Sequence, residues 1–222
     1  SFMEVINMNT RSLTSWLLIL GPIGMFLIWF ILDPIVIGEV PEGLSPSEEA
    51  IAGLQLDLDQ QALSTVMNMI GGFFFIGIFA GLAMLSRTLQ GGGAAFGTLA
   101  GILFPAVVAI AVAGFGLSVE ATNHLAEGNK DIAATLEISS DGLFGAMPMI
   151  LGLGLILLGL GIARENGSLP ALLGWVLFIF GIGMMSGMFL DFSGDNPIGM
   201  VVWMGWMIVT VVTGVISLRT SE

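Results

Sequence analysis

The one histidine of this 222-residue chain stands among carboxylates at helical spacing. Glu120, His124 and Glu127 fall at i, i+4 and i+7, so a helix through them carries all three on one face. Imidazole with two carboxylates is a ligand set for a divalent metal ion such as Zn, Mn or Fe, and Asp191 would add an oxygen if its loop folds alongside. The competing explanation is a solvated helix end that needs no metal. Methionine offers a second chemistry. Met67, Met69, Met147, Met149, Met184, Met185, Met188, Met200 and Met204 cluster toward one side of four apolar runs, and thioethers are soft ligands suited to Cu(I). Met is also adaptable packing bulk, which is the more economical reading. Asn68 is the most polar side chain inside an apolar run. It implies a hydrogen bond to a neighbouring helix or, with Met147, Met184 and Met188, the lining of a pathway.

Other chemistries fall away. The chain has no cysteine, which removes disulfides, thiolate metal sites and iron–sulfur ligation. Lys130 is the only lysine and falls in a loop, so a Schiff base within a bundle has no candidate. One histidine cannot supply two haem ligands within one chain, and no G-x-S-x-G is present. No ionisable residue falls mid-run, which counts against an ion-coupled pump.

The elements that must position these residues are set by lipid. With 55% hydrophobic residues, 10% charged residues and a mean hydropathy of +0.99, the chain is too apolar to cover a water-facing surface. Six stretches approach the ~20 residues needed to cross about 30 Å of hydrocarbon: 13–32, 62–85, 94–118, 142–163, 168–190 and 197–217. This predicts an all-α bundle of six transmembrane helices in a single integral membrane domain, 1–222, with short loops and no separate soluble domain. The first run is full length and lacks a small-residue cleavage site, as in a retained first span. Arg11 precedes the first run, and Arg87, Arg164 and Arg219 follow the second, fourth and sixth. Cationic segments resist translocation, so both termini are expected in the cytoplasm of a cell (inner or plasma) membrane protein. On that topology Glu4, Glu165 and Glu222 are cytoplasmic. The other 14 of the 17 acids face outward with Lys130 as the only cation beside them. The net charge of −12 is then concentrated on an outer face that gathers cations and repels nucleic acid.

The first outer loop carries its own helix signal. Ser45-Pro46-Ser47-Glu48 has a Ser cap, Pro at the first helical position and Glu three residues after the cap. Ile51, Leu54 and Leu58 then share one side, predicting a short amphipathic helix on the membrane surface, leading into span two or lying as a lid. The turns at 87–93 and 164–167 are short enough for tight antiparallel hairpins. Gly91-Gly92-Gly93 lacks a P-loop Lys and a preceding strand, and is expected to be a flexible turn. Dense glycine, including Gly77/Gly81 and Gly97/Gly101, predicts close helix packing or homo-oligomer contacts, with bending at Pro22, Pro105 and Pro148. Trp16, Trp29, Trp203 and Trp206 are expected in an interfacial aromatic belt. Met67-Asn68-Met69-Ile70-Gly71-Gly72 and Met147-Pro148-Met149-Ile150-Leu151-Gly152 open spans two and four alike, a weak repeat of the kind found in transporters.

The long loop after span one, the Arg-terminated hairpins and the stretch Gly167-Ser168-Leu169-Pro170-Ala171-Leu172-Leu173-Gly174 opening span five together resemble an uncharacterised family of small six-helix prokaryotic membrane proteins, a domain of unknown function. The resemblance implies the fold and carries no activity or site residues. Three functions stay open. The first is transport or channel-type handling of a small solute or cation from the acidic outer face. The second is a membrane-embedded metal-dependent or lipid-modifying enzyme. The third is a non-catalytic subunit packing on another membrane protein.

Overall fold

The computed structural model of the chain describes residues 10–165, 167, 169–187, 189 and 197–219. Every regular element among them is helical. α1 (Thr10–Phe26) passes into a π-helical segment (Leu27–Leu32) and then α2 (Asp33–Val36). α3 (Pro46–Asp59) and α4 (Gln61–Thr88) follow, and a 3₁₀ turn (Gly91–Gly93) leads into α5 (Ala94–Ala126). α6 (Lys130–Glu165), α7 (Ala171–Ser186) and α8 (Pro197–Arg219) complete the order. Five helical stretches are long and apolar enough to cross a bilayer: Thr10–Val36, Gln61–Thr88, Gly91–Ala126, Lys130–Glu165 and Pro197–Arg219. α7 is a shorter apolar helix of 16 residues. The chain therefore has the make-up of a multi-pass helical membrane protein.

Two helices run much longer than the sequence reading allowed. α5 has 33 residues and α6 has 36. At 1.5 Å per residue, 36 residues extend about 54 Å, well beyond the ~30 Å hydrocarbon layer. The stretch between the expected spans 94–118 and 142–163 is thus helical apart from a turn at Glu127–Asn129. Gly128 makes that turn, with φ +86, the left-handed conformation that costs glycine least. The Asn129 N–H donates to His124 O at 2.8 Å and the Gly128 N–H to Leu125 O at 2.9 Å, the paired bonds of a Schellman ending. Pro22, Pro105 and Pro148 lie inside α1, α5 and α6 without ending them.

The contacts divide the chain into two compact units. The first comprises the described residues within Ser1–Ile23, Phe74–Val108 and Pro148–Glu222, and the second comprises Gly24–Phe73 and Ala109–Met147.

Glycine brings helices of the first unit into backbone contact. A Cβ added at Gly152 would stand 2.6 Å from Gly181 O, and one at Gly159 would overlap Gly174 O, so α6 and α7 meet antiparallel at two glycine pairs seven residues apart. Gly93 packs in the same way on Gly161 O, at 2.5 Å from its added Cβ. The Gln90 N–H also donates to Glu165 Oε1 at 2.8 Å, and the Arg164 guanidinium lies 4.9 Å from the centre of the Phe96 ring. The triple glycine is therefore a turn held against α6 rather than a loose connection. Trp206 stacks on Phe79 at 6.0 Å and is 0% exposed, which corrects its expected place in an aromatic belt. Its indole N–H meets no acceptor among the described residues, because the rings around it offer none.

In the second unit α3 starts where its capping signal lies. The Glu48 carboxylate accepts from the Ser45 N–H at 3.0 Å and from the Ser45 hydroxyl at 2.6 Å. Those two donors hold its acidity stronger than the ordinary carboxyl value of 4.5, the hydroxyl contributing most. Leu54, with Ile51 and Leu58, packs on Ala121, Leu125, Ala133 and Leu136. The apolar stripe of α3 is thus docked on the α5–α6 hairpin and not laid on a membrane surface.

Candidate functional site

Polar groups of the second unit assemble from five elements, α2 to α6. Gln60 leaves the helical conformation at φ −123, ψ 36, ending α3, and its side chain donates to Val36 O at 2.8 Å. α4 then begins at once, and the turn sets Asp57 of α3 beside Ser64 of α4. Ser64 Oγ donates to Asp57 Oδ1 at 2.5 Å, and Asn68 Nδ2 donates to Ser64 Oγ at 3.3 Å. Asn68 therefore bonds one turn back on its own helix, and its side chain is exposed, where a bond to a neighbouring helix was expected. A second chain of bonds joins α5 to α6. Ser118 Oγ donates to Glu137 Oε2 at 2.7 Å and lies 3.2 Å from Ser140 Oγ, while Ser140, fully buried, donates to Gly114 O at 2.9 Å.

The carboxylates of this unit act on one another. Asp33 lies within electrostatic reach of Asp57, Glu137 within reach of Asp57 and Asp141, and Asp141 within reach of Glu49. No Lys or Arg among the described residues forms an ion pair with them. The arrangement is strongly electronegative, and a positive charge placed near it would be attracted.

The histidine group takes the shape its spacing implied but not the convergence a metal ion needs. Glu120 Oε1 lies 3.7 Å from His124 Nε2, and Glu127 Oε2 lies 3.6 Å from His124 Nδ1. The two carboxylates thus flank opposite edges of the ring, and one lone pair cannot point toward both. Asn129 Nδ2 also contacts His124 Nδ1 at 3.5 Å and donates to Glu127 Oε2 at 3.2 Å. Among the described residues no three His, Asp or Glu side chains stand close enough together to hold a metal ion. Asp191 and Met188 lie outside the described residues. Met147 and Met184 are buried, at 6% and 0% exposure, as packing residues are, whereas Met69, Met149 and Met200 lie on the surface.

No protein-family model, no curated protein and no solved structure matches this chain. Its function must be argued from its own residues. The sequence reading passed over Asp33, Asp57, Glu137, Asp141, Ser118 and Ser140. Their signal was present: Ser140 and Asp141 follow Glu137 at i+3 and i+4, and Ser118 follows Gly114 at i+4, the spacings of one helix face. Spacing along each helix does not reveal that the two faces meet, because that depends on the turn at Gly128.

Proposed function

We propose that the chain is a six-span protein of the cell membrane, with both termini in the cytoplasm, that binds and passes a small cation or cationic solute entering from its acidic outer side. On this reading 168–190, which contains α7, makes one of the six crossings. The observation that supports it is the gathering of Asp33, Asp57, Glu137 and Asp141 from three separate helical segments without a neutralising cation among the described residues. Such a group favours cations over anions whatever their identity. The Arg-bearing turns supply the orientation.

Purified chain in proteoliposomes should take up monovalent or divalent cations faster than empty vesicles, and Asp57→Asn with Asp33→Asn should slow that uptake. Vesicles as tight as protein-free controls to a panel of alkali, alkaline-earth and organic cations would refute the proposal. The enzyme reading has less support, since Glu120 and Glu127 do not converge on His124. Assembly through glycine faces is also weakened, because Gly152, Gly159, Gly174 and Gly181 are engaged within the chain.

A further inference from the structure

Glu137 is half-buried on α6, five residues ahead of the stretch 142–163 assigned to the fourth span, and its contacts pose a problem of proton supply. Three oxygen pairs lie in series: Glu137 to Ser118 at 2.7 Å, Ser118 to Ser140 at 3.2 Å, and Ser140 to Gly114 O at 2.9 Å. Each hydroxyl has one proton to give. If Glu137 is ionised, Ser118 gives its proton to the carboxylate and Ser140 gives its own to Gly114 O. The Ser118–Ser140 pair is then left as two oxygens without a proton between them. If Glu137 carries a proton, it donates to Ser118, Ser118 to Ser140 and Ser140 to Gly114 O, and every pair is bonded with each proton used once.

We propose that Glu137 is a proton-carrying switch: protonated, it heads an ordered hydroxyl chain that ties α6 to α5, and on ionising it breaks that chain and loosens α3 from the α5–α6 hairpin. The second half follows from what faces it. Asp57 approaches from α3 and Asp141 from α6, while Glu49 of α3 faces Asp141 and Asp33 faces Asp57. All are acids, so a charge gained at Glu137 is repelled by Asp57 of α3 and Asp141 of α6. Leu136, its neighbour in sequence, packs against the cluster that Leu54 of α3 forms with Ala121, Leu125 and Ala133. Burial raises the Glu137 carboxyl above its ordinary 4.5, and Asp141 and Asp57 add to this while the Ser118 hydroxyl opposes it. The switch operates whether or not the chain carries a solute.

The sign is fixed by linkage. A carboxyl whose folded value is raised makes the closed unit less stable as pH climbs from the ordinary value to the raised one. Over that window protection of α3 amides should fall by up to about tenfold per pH unit. The test uses full-length protein in lipid nanodiscs, with an infrared pH titration of the protonated-carboxyl stretch and hydrogen exchange of α3 corrected for intrinsic rate. Wild type should keep a protonated-carboxyl band above the pH at which an ordinary glutamate loses it, and α3 protection should fall with the same midpoint. Glu137→Gln, whose amide also donates to Ser118, should remove the Glu137 component of the band and abolish the fall of α3 protection over that window. Ser118→Ala should shift the frequency of the band, and this carries the test if Glu137→Gln does not fold. An ordinary midpoint near 4.5 in wild type, an α3 profile unchanged by Glu137→Gln, or a band indifferent to Ser118→Ala would each overturn the proposal.

Discussion

Adding one methyl group to the α6–α7 contact tests whether glycine there is structural necessity or incidental composition. In Gly159→Ala the new Cβ would overlap Gly174 O and come within 2.7 Å of Phe178 N, where ordinary contact begins at 3.4 Å. Both atoms are backbone and cannot rotate away, so α7 must withdraw by at least about 0.7 Å along its contact with α6. Overpacking of this kind costs about 1–3 kcal/mol. Alanine recovers about 0.5–1 kcal/mol as the better helix former, leaving a net loss of roughly 0–2.5 kcal/mol. Gly145→Ala on the same helix is the control, because a Cβ there has nothing within 4 Å. It should be neutral or stabilising by up to about 1 kcal/mol. The two variants should therefore separate by roughly 1–3 kcal/mol in reversible unfolding from mixed detergent micelles, with Gly159→Ala the weaker. Equal stability of the two would show that α6 and α7 do not meet at these glycines.

Three further perturbations address the second unit. Leu54→Ala removes the side chain that α3 buries most deeply, at 2% exposure, and should cost about 2–5 kcal/mol, read as faster hydrogen exchange across α3 and the α5–α6 turn. Gly128→Ala meets no steric neighbour but forces alanine to φ +86, so it should cost roughly 1–2 kcal/mol in thermal unfolding. Ser45→Ala removes the α3 cap at a cost of about 1 kcal/mol. Because the folded Glu48 value is depressed, its contribution is present above the ordinary 4.5 and is lost as pH falls through the depressed value, so α3 should fray in acid by hydrogen exchange.

The membrane character was legible because lipid imposes a length and a polarity on any crossing segment, and both are visible in a string of residues. The start of α3 was legible for a similar reason: Ser45, Pro46 and Glu48 interact within one turn, so their spacing is their geometry. Helix ends beyond the hydrocarbon were not. Residues 119–141 lose the apolar signal that marks a span, yet stay helical because Leu125, Ala133 and Leu136 are covered by α3, a partner more than sixty residues away in sequence. Trp206 failed in the opposite direction, since its type suggests an interface while Phe79 on another helix takes it into the core.

The polar chemistry suffers most from this asymmetry. His124 drew notice because it is unique, but its partners are one turn away on the same helix, and such neighbours tend to flank a ring rather than converge on one point in front of it. Convergence requires groups from different helices, as where Glu137 of α6 meets Ser118 of α5 and faces Asp57 of α3. Nineteen residues separate Ser118 from Glu137, and only the position of the Gly128 turn decides that they meet. Moving that turn by one residue would rotate α6 by about 100° relative to its present register. The network would then dissolve with the composition, topology and charge of the chain unchanged. The switch proposed at Glu137 therefore depends less on the acidic character of the chain than on where one glycine ends one helix.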